Sequence, residues 1–79
     1  MVYVYVIKGE VANRRYVGIT QDVEQRVREH NSGRSSSTKP YIPWQIIHQE
    51  SFDSHEEARG REKYLKSSAG RRWLKKHLG

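Results

Sequence analysis

Two phenols, a guanidinium, an imidazole and a carboxylate are the groups in this 79-residue sequence whose types and spacing could do chemistry: Tyr5, Tyr16, Arg26, His30 and Glu62. They remain once common signatures are excluded. There is no phosphate loop of the GxxxxGK(S/T) form, and no serine lies in the G-x-S-x-G context of a nucleophile elbow. "HEEAR" (His55–Arg59) opens like a zinc-protease helix, but Arg59 stands where the second ligand belongs. With no cysteine, disulfides and thiolate metal sites are excluded. Each of the five falls on the inner face of an expected element, while the charged residues around it face outward. Phenol and imidazole can move protons, a planar guanidinium grips anions, and a carboxylate holds hard cations. A blander reading stays open, in which the tyrosines pack a sheet and Arg26 pairs with Glu62.

The elements that would position these groups follow from the pattern. Val2–Lys8 alternates strictly, as a strand does. Val2, Val4 and Val6 point one way; Tyr3, Tyr5 and Ile7 point the other. Residues 9–13 read as a loop and Arg15–Ile19 as a second strand, giving an antiparallel hairpin. A turn centred between Glu10 and Val11 would set Tyr5 directly opposite Tyr16. Gly18 serves backbone geometry, as a bulge or a close approach. Thr20 can cap a helix with Asp22 near its amino end. Arg26 and His30 then share the stripe of Val23 and Val27, and Asn31 or Gly33 can take a positive φ at the end. "SGRSSSTKPYIP" (residues 32–43) reads as a mobile surface connection, although Arg34 and Lys39 in it would suit a phosphate chain. "WQIIHQESF" reads as a third strand. Ser54 and Glu57 form a capping box that opens a second helix running to about Lys66. Ala58, Glu62 and Leu65 share a face of it, and Gly60 would allow close packing. After "SSAG", a short third helix from about Arg71 would bury Trp73, Leu74 and Leu78, leaving Arg71, Arg72, Lys75 and Lys76 outside.

"YVY" (Tyr3–Tyr5) followed by "YVG" (Tyr16–Gly18) resembles the pair of tripeptides that names the GIY-YIG nuclease family. "GITQDVEQRVREHNSG" resembles that family's next segment, with Arg26 and His30 at matching offsets. "SHEEARGREKYLK" resembles the helix that carries its acidic residue, here Glu62. The similarity spans roughly residues 2–68 and is nearest to the small stand-alone bacterial members. It implies an α+β fold, a three-stranded antiparallel sheet flanked by helices, forming one nuclease domain over residues 1–79 with a basic helix from about 71. It implies divalent-metal-dependent hydrolysis of phosphodiester bonds in DNA, in repair or in processing of unusual DNA structures. In that scheme Tyr5 is general base, Arg26 stabilises the phosphate, and Glu62 holds a single Mg²⁺ or Mn²⁺. Tyr16 and His30 order water or assist proton movement. Two departures stand out: the first tripeptide is Tyr-Val-Tyr, and no asparagine follows Glu62, where Ser67 or Ser68 takes that neighbourhood. The second leaves room for weak activity, or for a module that binds nucleic acid without cleaving it.

Charge points to the same partner. Residues 58–79 carry eight Lys/Arg against one acid, Glu62, and hold all of the net +6. Such a segment attracts polyanions by releasing their counterions, which suits the DNA that the resemblance implies, with RNA also open. Its plainer role is a solvated helix face. Composition at 34% hydrophobic and 30% charged is polar, yet eight aromatics are too many for a disordered chain. No apolar run nears the ~20 residues needed to span a bilayer, and no signal peptide is expected. Absent cysteines fit a cytoplasmic location, the nucleoid included. No small-molecule cofactor is expected.

Overall fold

The computed structural model of the chain describes residues 1–11 and 13–78. Three strands, β1 (Val2–Gly9), β2 (Arg15–Thr20) and β3 (Trp44–Phe52), form one antiparallel sheet in the order β2-β1-β3. Helices α1 (Val23–Asn31), α2 (His55–Lys66) and α3 (Ser68–Leu78) flank it, and a 3₁₀ turn spans Lys39–Tyr41. This is the expected α+β architecture. None of the described helices is long and apolar enough to cross a membrane.

The alternation in β1 sorts its side chains between two cores. Val2, Val4 and Val6 pack with Val17, Ala58, Leu65 and Leu74 beneath α2 and α3. Tyr5 and Ile7 pack on the opposite face with Val23 and Trp44, and Tyr3, Tyr16 and Val27 gather around them. Full burial of each such side chain contributes about 1.5–3 kcal/mol, so a central strand apolar on both faces anchors both layers.

The hairpin register differs from expectation. Tyr5 lies opposite Gly18, and Tyr16 lies opposite Ile7. The register is shifted by two residues from the one that a turn centred between Glu10 and Val11 implies. Side chains repeat with period two, so an even shift keeps Tyr16 on the Tyr5 face, as a diagonal neighbour.

Helix boundaries follow their caps. The Asp22 side chain accepts from Gln25 N (3.1 Å) and caps α1, while Thr20 Oγ1 accepts from Asp22 N (3.1 Å). Gly33 takes the positive φ (82°) that follows the helix. Ser54 Oγ accepts from Glu57 N (3.2 Å) at the start of α2, as the capping box requires. α3 begins at Ser68, a turn earlier than the expected Arg71. Ser67 Oγ accepts from Gly70 N (3.2 Å) and Ser67 O accepts from Arg71 N (2.9 Å), so "SSAG" starts a helix instead of interrupting one. A β-carbon on Gly70 would overlap the Tyr64 carbonyl and Leu65 Cα, which is how α3 folds back tightly on α2. Gly60, by contrast, has nothing near its Cα for a side chain to meet, and close packing is not its role.

The segment 32–43 is tied down at several points, not a loose connection. Trp44 Nε1 donates to Thr38 O (2.9 Å), and the Asn31 side chain accepts from Trp44 N (2.6 Å) and donates to Trp44 O (3.1 Å). These bonds clamp the end of α1 and the 3₁₀ turn to the start of β3.

Candidate active site

The site grows from the diagonal pair on the hairpin. The rings of Tyr5 and Tyr16 have centroids 6.2 Å apart. Tyr5 is enclosed, at 1% exposure, whereas Tyr16 is half-buried at the edge of the cluster. A β-carbon on Gly18 would come within 2.6 Å of the Tyr5 hydroxyl. Gly18 is therefore the close approach that lets the phenol lie across the neighbouring strand.

His30 reaches this pair because it falls one helical turn beyond the sheet-facing stripe begun by Val23 and Val27. It is fully buried. Its Nε2 lies 2.9 Å from the Tyr5 hydroxyl and its Nδ1 lies 2.9 Å from Thr38 Oγ1. Thr38 Oγ1 also faces Ser35 O at 3.4 Å, toward which its proton is directed. That leaves a lone pair of Thr38 for an Nδ1–H, and Nε2 to accept from Tyr5. Tyr16 meets the imidazole edge-on at 4.9 Å between centroids. Thr38 is not marked out by the sequence. It sits in a run of small polar residues with no periodicity to single one member out as buried.

Burial sets the protonation of this hydrogen-bonded chain. It pushes the Tyr5 phenol up to about 12, with the neighbouring Tyr16 adding to the effect and Arg26 opposing it. Burial and then Arg26 push His30 down from its ordinary value, against the pull of Glu29. At neutral pH the site therefore holds a neutral phenol against a neutral imidazole.

Arg26 stands near both tyrosines, partly exposed. Its Nη1 pairs with Glu29 Oε1 at 2.9 Å, one helical turn away. This bond holds the guanidinium protonated and keeps the Glu29 carboxyl below its usual range. Arg26 does not pair with Glu62; the partner of Glu62 is Lys66. The fork has further donors that can meet another anion.

Glu62 projects from α2, half-buried, and its Oε2 lies 3.0 Å from Lys66 Nζ. Its charge is felt at Tyr5 as a small upward push. Among the described residues no group of three or more His, Asp or Glu side chains gathers around one point. A single carboxylate nonetheless fits Mg²⁺, which keeps most of its waters and takes one or two carboxylates plus phosphate oxygens. Of Ser67 and Ser68, the two residues in the neighbourhood of the absent asparagine, Ser67 is occupied with capping α3.

The expected nucleic-acid residues divide. Arg71 and Lys75 line a cleft beside Tyr16. Arg72 and Lys76 are exposed outside it. Arg34 borders a shallow depression with Gln25, Arg28 and Ser32. Lys39 lays its aliphatic stem near Gly33.

A three-stranded antiparallel sheet presenting two tyrosines from one hairpin to an Arg-x-x-x-His helix defines a nuclease domain of the GIY-YIG class. Residues 1–77 match the GIY-YIG catalytic domain, and the chain belongs to that family. It is similar to a UPF0213 protein of Haloquadratum walsbyi, at 42% identity over 66 residues, covering 82% of this chain and 73% of the relative. A UPF0213 protein of Staphylococcus saprophyticus is 35% identical over 74 residues, covering 92% and 89%. Among solved structures, the solution NMR structure of a UPF0213 protein from Bacillus halodurans superposes with a TM-score of 0.58 at 30% identity, over 100% of this chain and 88% of that one.

Proposed function

We propose that this chain is a divalent-metal-dependent endonuclease that hydrolyses phosphodiester bonds in DNA, in repair or in processing unusual DNA structures. The observation that carries this reading is the buried Tyr5–His30–Thr38 chain of hydrogen bonds beside Arg26. Phenolate is costly here. With no divalent cation beside it, a pKa of about 12 makes ionising Tyr5 at pH 7 cost about 7 kcal/mol. The proton on Tyr5 therefore leaves as another arrives. Tyr16, at the open edge, orders the attacking water. As the water oxygen bonds to phosphorus, its proton passes to the Tyr5 oxygen and the phenolic proton passes to His30 Nε2. The P–O ester bond breaks and its oxygen takes a proton from solvent water to end as a hydroxyl, while the proton held on His30 Nε2 returns to solvent through Tyr5 and restores the site. Thr38 holds His30 in the tautomer that can accept. Arg26 meets the growing charge on the phosphate with donors that Glu29 leaves free. Glu62 would hold a single Mg²⁺ or Mn²⁺, which supplies further charge stabilisation at the phosphate oxygens.

The test is a cleavage panel of plasmid, single-stranded, flapped and branched DNA with Mg²⁺ or Mn²⁺. Metal-dependent nicking that Tyr5→Phe and Glu62→Ala both abolish is the expected result. Nicking that survives both substitutions belongs to a contaminant and removes the assignment. A second reading, a module that binds nucleic acid without cutting, draws on Ser67 being consumed as a helix cap. It predicts binding with no cleavage of any substrate, unaffected by Glu62→Ala.

A further inference from the structure

We infer that the cleft between the outer edge of the hairpin and the α2–α3 corner is a backbone track, holding the phosphodiesters next to the one that is cut. This rests on the reading of the chain as acting on nucleic acid. The cleft has a volume of about 640 Å³ and is lined by Arg14, Arg15, Tyr16, Lys66, Arg71 and Lys75 together with Asn13 and apolar residues. Five of its side chains are cationic, and no carboxylate lines it among the described residues. A wall of one sign focuses field and concentrates an anionic partner.

Continuity with the site gives the cleft its direction. Tyr16 lies in its wall and also against His30, at 4.9 Å between ring centroids. Lys66 lines it and also pairs with Glu62. A strand with one phosphate at Arg26 and Glu62 would thus pass directly over Tyr16 into the basic channel. The two walls come from distant parts of the sequence. Arg14 and Arg15 close the hairpin, while Arg71 and Lys75 lie four apart on α3 and share a face. Arg14 is already stacked over Tyr41, 4.9 Å from its ring centroid. Arg15 Nε is buried with no hydrogen-bond partner among the described residues. The residue as a whole is partly exposed, and its planar guanidinium matches a phosphate in shape and charge.

Net charge alone would treat all four basic residues of α3 alike; the cleft does not. The experiment compares Arg71→Ala/Lys75→Ala with Arg72→Ala/Lys76→Ala, which remove the same charge from neighbouring faces of one exposed helix. Binding of a fluorescein-labelled 20-base DNA, single-stranded and as a duplex, is followed by anisotropy in EDTA, so that nothing is cut. The first pair is expected to weaken affinity at least tenfold and to flatten the log–log salt dependence by about 1.4–1.8, or 0.7–0.9 for each phosphate no longer neutralised. The second pair stays within about threefold. Arg15→Ala, on the opposite wall, is expected to weaken binding independently of α3. Equal losses from the two pairs, or no binding by the unsubstituted chain, would overturn the inference. The cleavage panel judges the nuclease reading separately: binding with this pattern but no cutting leaves the track and removes the enzyme, and cutting with equal losses does the reverse.

Discussion

The Tyr5 hydroxyl and His30 Nε2 lie 2.9 Å apart, one on the central strand and one on the helix packed over it, in a site that keeps both neutral. Tyr5→Phe removes the hydroxyl while keeping the ring that fills the core. It leaves Nε2 without its partner, at a cost in stability of about 1–3 kcal/mol. Cleavage should fall by about 10²–10⁴-fold, the usual contribution of a positioned proton-transfer group. Because the relay starts from a neutral phenol and a neutral imidazole, the single-turnover rate should not rise tenfold per unit between pH 7 and 9. A hydroxide-like slope over that range would mean a preformed phenolate and would contradict the relay.

Thr38 touches no substrate in this scheme; it positions His30. Thr38→Val keeps the shape and removes the acceptor for Nδ1–H. The imidazole can then settle in the other tautomer, with its Nε2 protonated and unable to accept from Tyr5. The expected drop is about 10–100-fold in kcat with KM little changed, and Thr38→Ser should restore most of it. Equal damage from both substitutions would mark a packing role only.

How much of this was legible depends on the range of the interaction. Period-two alternation in β1 and the cap at Ser54 are local chemistry and placed β1 and the start of α2 closely, whereas the cap of α1 is Asp22, two residues beyond the expected Thr20, whose hydroxyl instead accepts from Asp22 N. Arg26 and His30 were found because helical spacing ties them to Val23 and Val27. Hairpin register was not legible, since "GEVANR" has no two-residue turn signal to fix the loop length. Thr38 is recognised only by two partners, His30 and Trp44, that reach it from other elements. The start of α3 was missed because a serine that breaks one helix by bonding to Tyr64 O also caps the next. The basic pair Arg14–Arg15, adjacent to Tyr16, was visible in the sequence, but its pairing with Arg71 and Lys75 required the fold.

His30 makes stability depend on pH in a definite direction. Burial lowers its folded pKa below the unfolded value of about 6.5. Tyr5, Tyr16, Trp44 and Thr38 face it from other elements, with Arg26 and Glu29 on its own helix. Above pH 6.5 both states are neutral and the contribution is fully present. As pH falls, the unfolded chain takes up the proton first, and stability drops down to the folded pKa. Glu29 and Glu50 are also held low, but their losses come at pH values under the ordinary carboxylate pKa of 4.5. Thermal melts between pH 7 and 5 should therefore show a falling Tm that His30→Gln flattens. An unchanged slope in that variant would exclude His30 as the source.

Gly18 is the position where the smallest substitution should do the most. A methyl there meets the Tyr5 hydroxyl at 2.6 Å and the ring carbons at 2.7 and 2.9 Å. The ring is buried on every side and cannot swing away freely. Gly18→Ala should cost about 1–3 kcal/mol through overpacking and should separate Tyr5 from His30, with activity falling further than stability predicts. In Tyr5→Ala/Gly18→Ala the clash has nothing to act on, so a double-mutant cycle should show a coupling of at least about 1 kcal/mol. Additive effects would mean that the alanine acts elsewhere.

Glu62 and Lys66 offer a test of the metal that does not depend on cutting. Their pair spans one helical turn, with Lys66 largely exposed. Such pairs contribute about 0.3–0.5 kcal/mol, so Lys66→Met should barely alter the metal-free Tm. Removing that ammonium leaves the carboxylate free, and Ca²⁺ or Mg²⁺ should then bind more tightly. At ten times the dissociation constant, binding to the folded state alone contributes about 1.4 kcal/mol, a rise of roughly 6–11 °C for a chain of this size. The expected order of metal-induced shifts at a fixed subsaturating Mg²⁺ is Lys66→Met above the unsubstituted chain, and Glu62→Gln at zero. EDTA should reverse each shift. A full shift retained in Glu62→Gln would place the cation on other residues and take Glu62 out of the site.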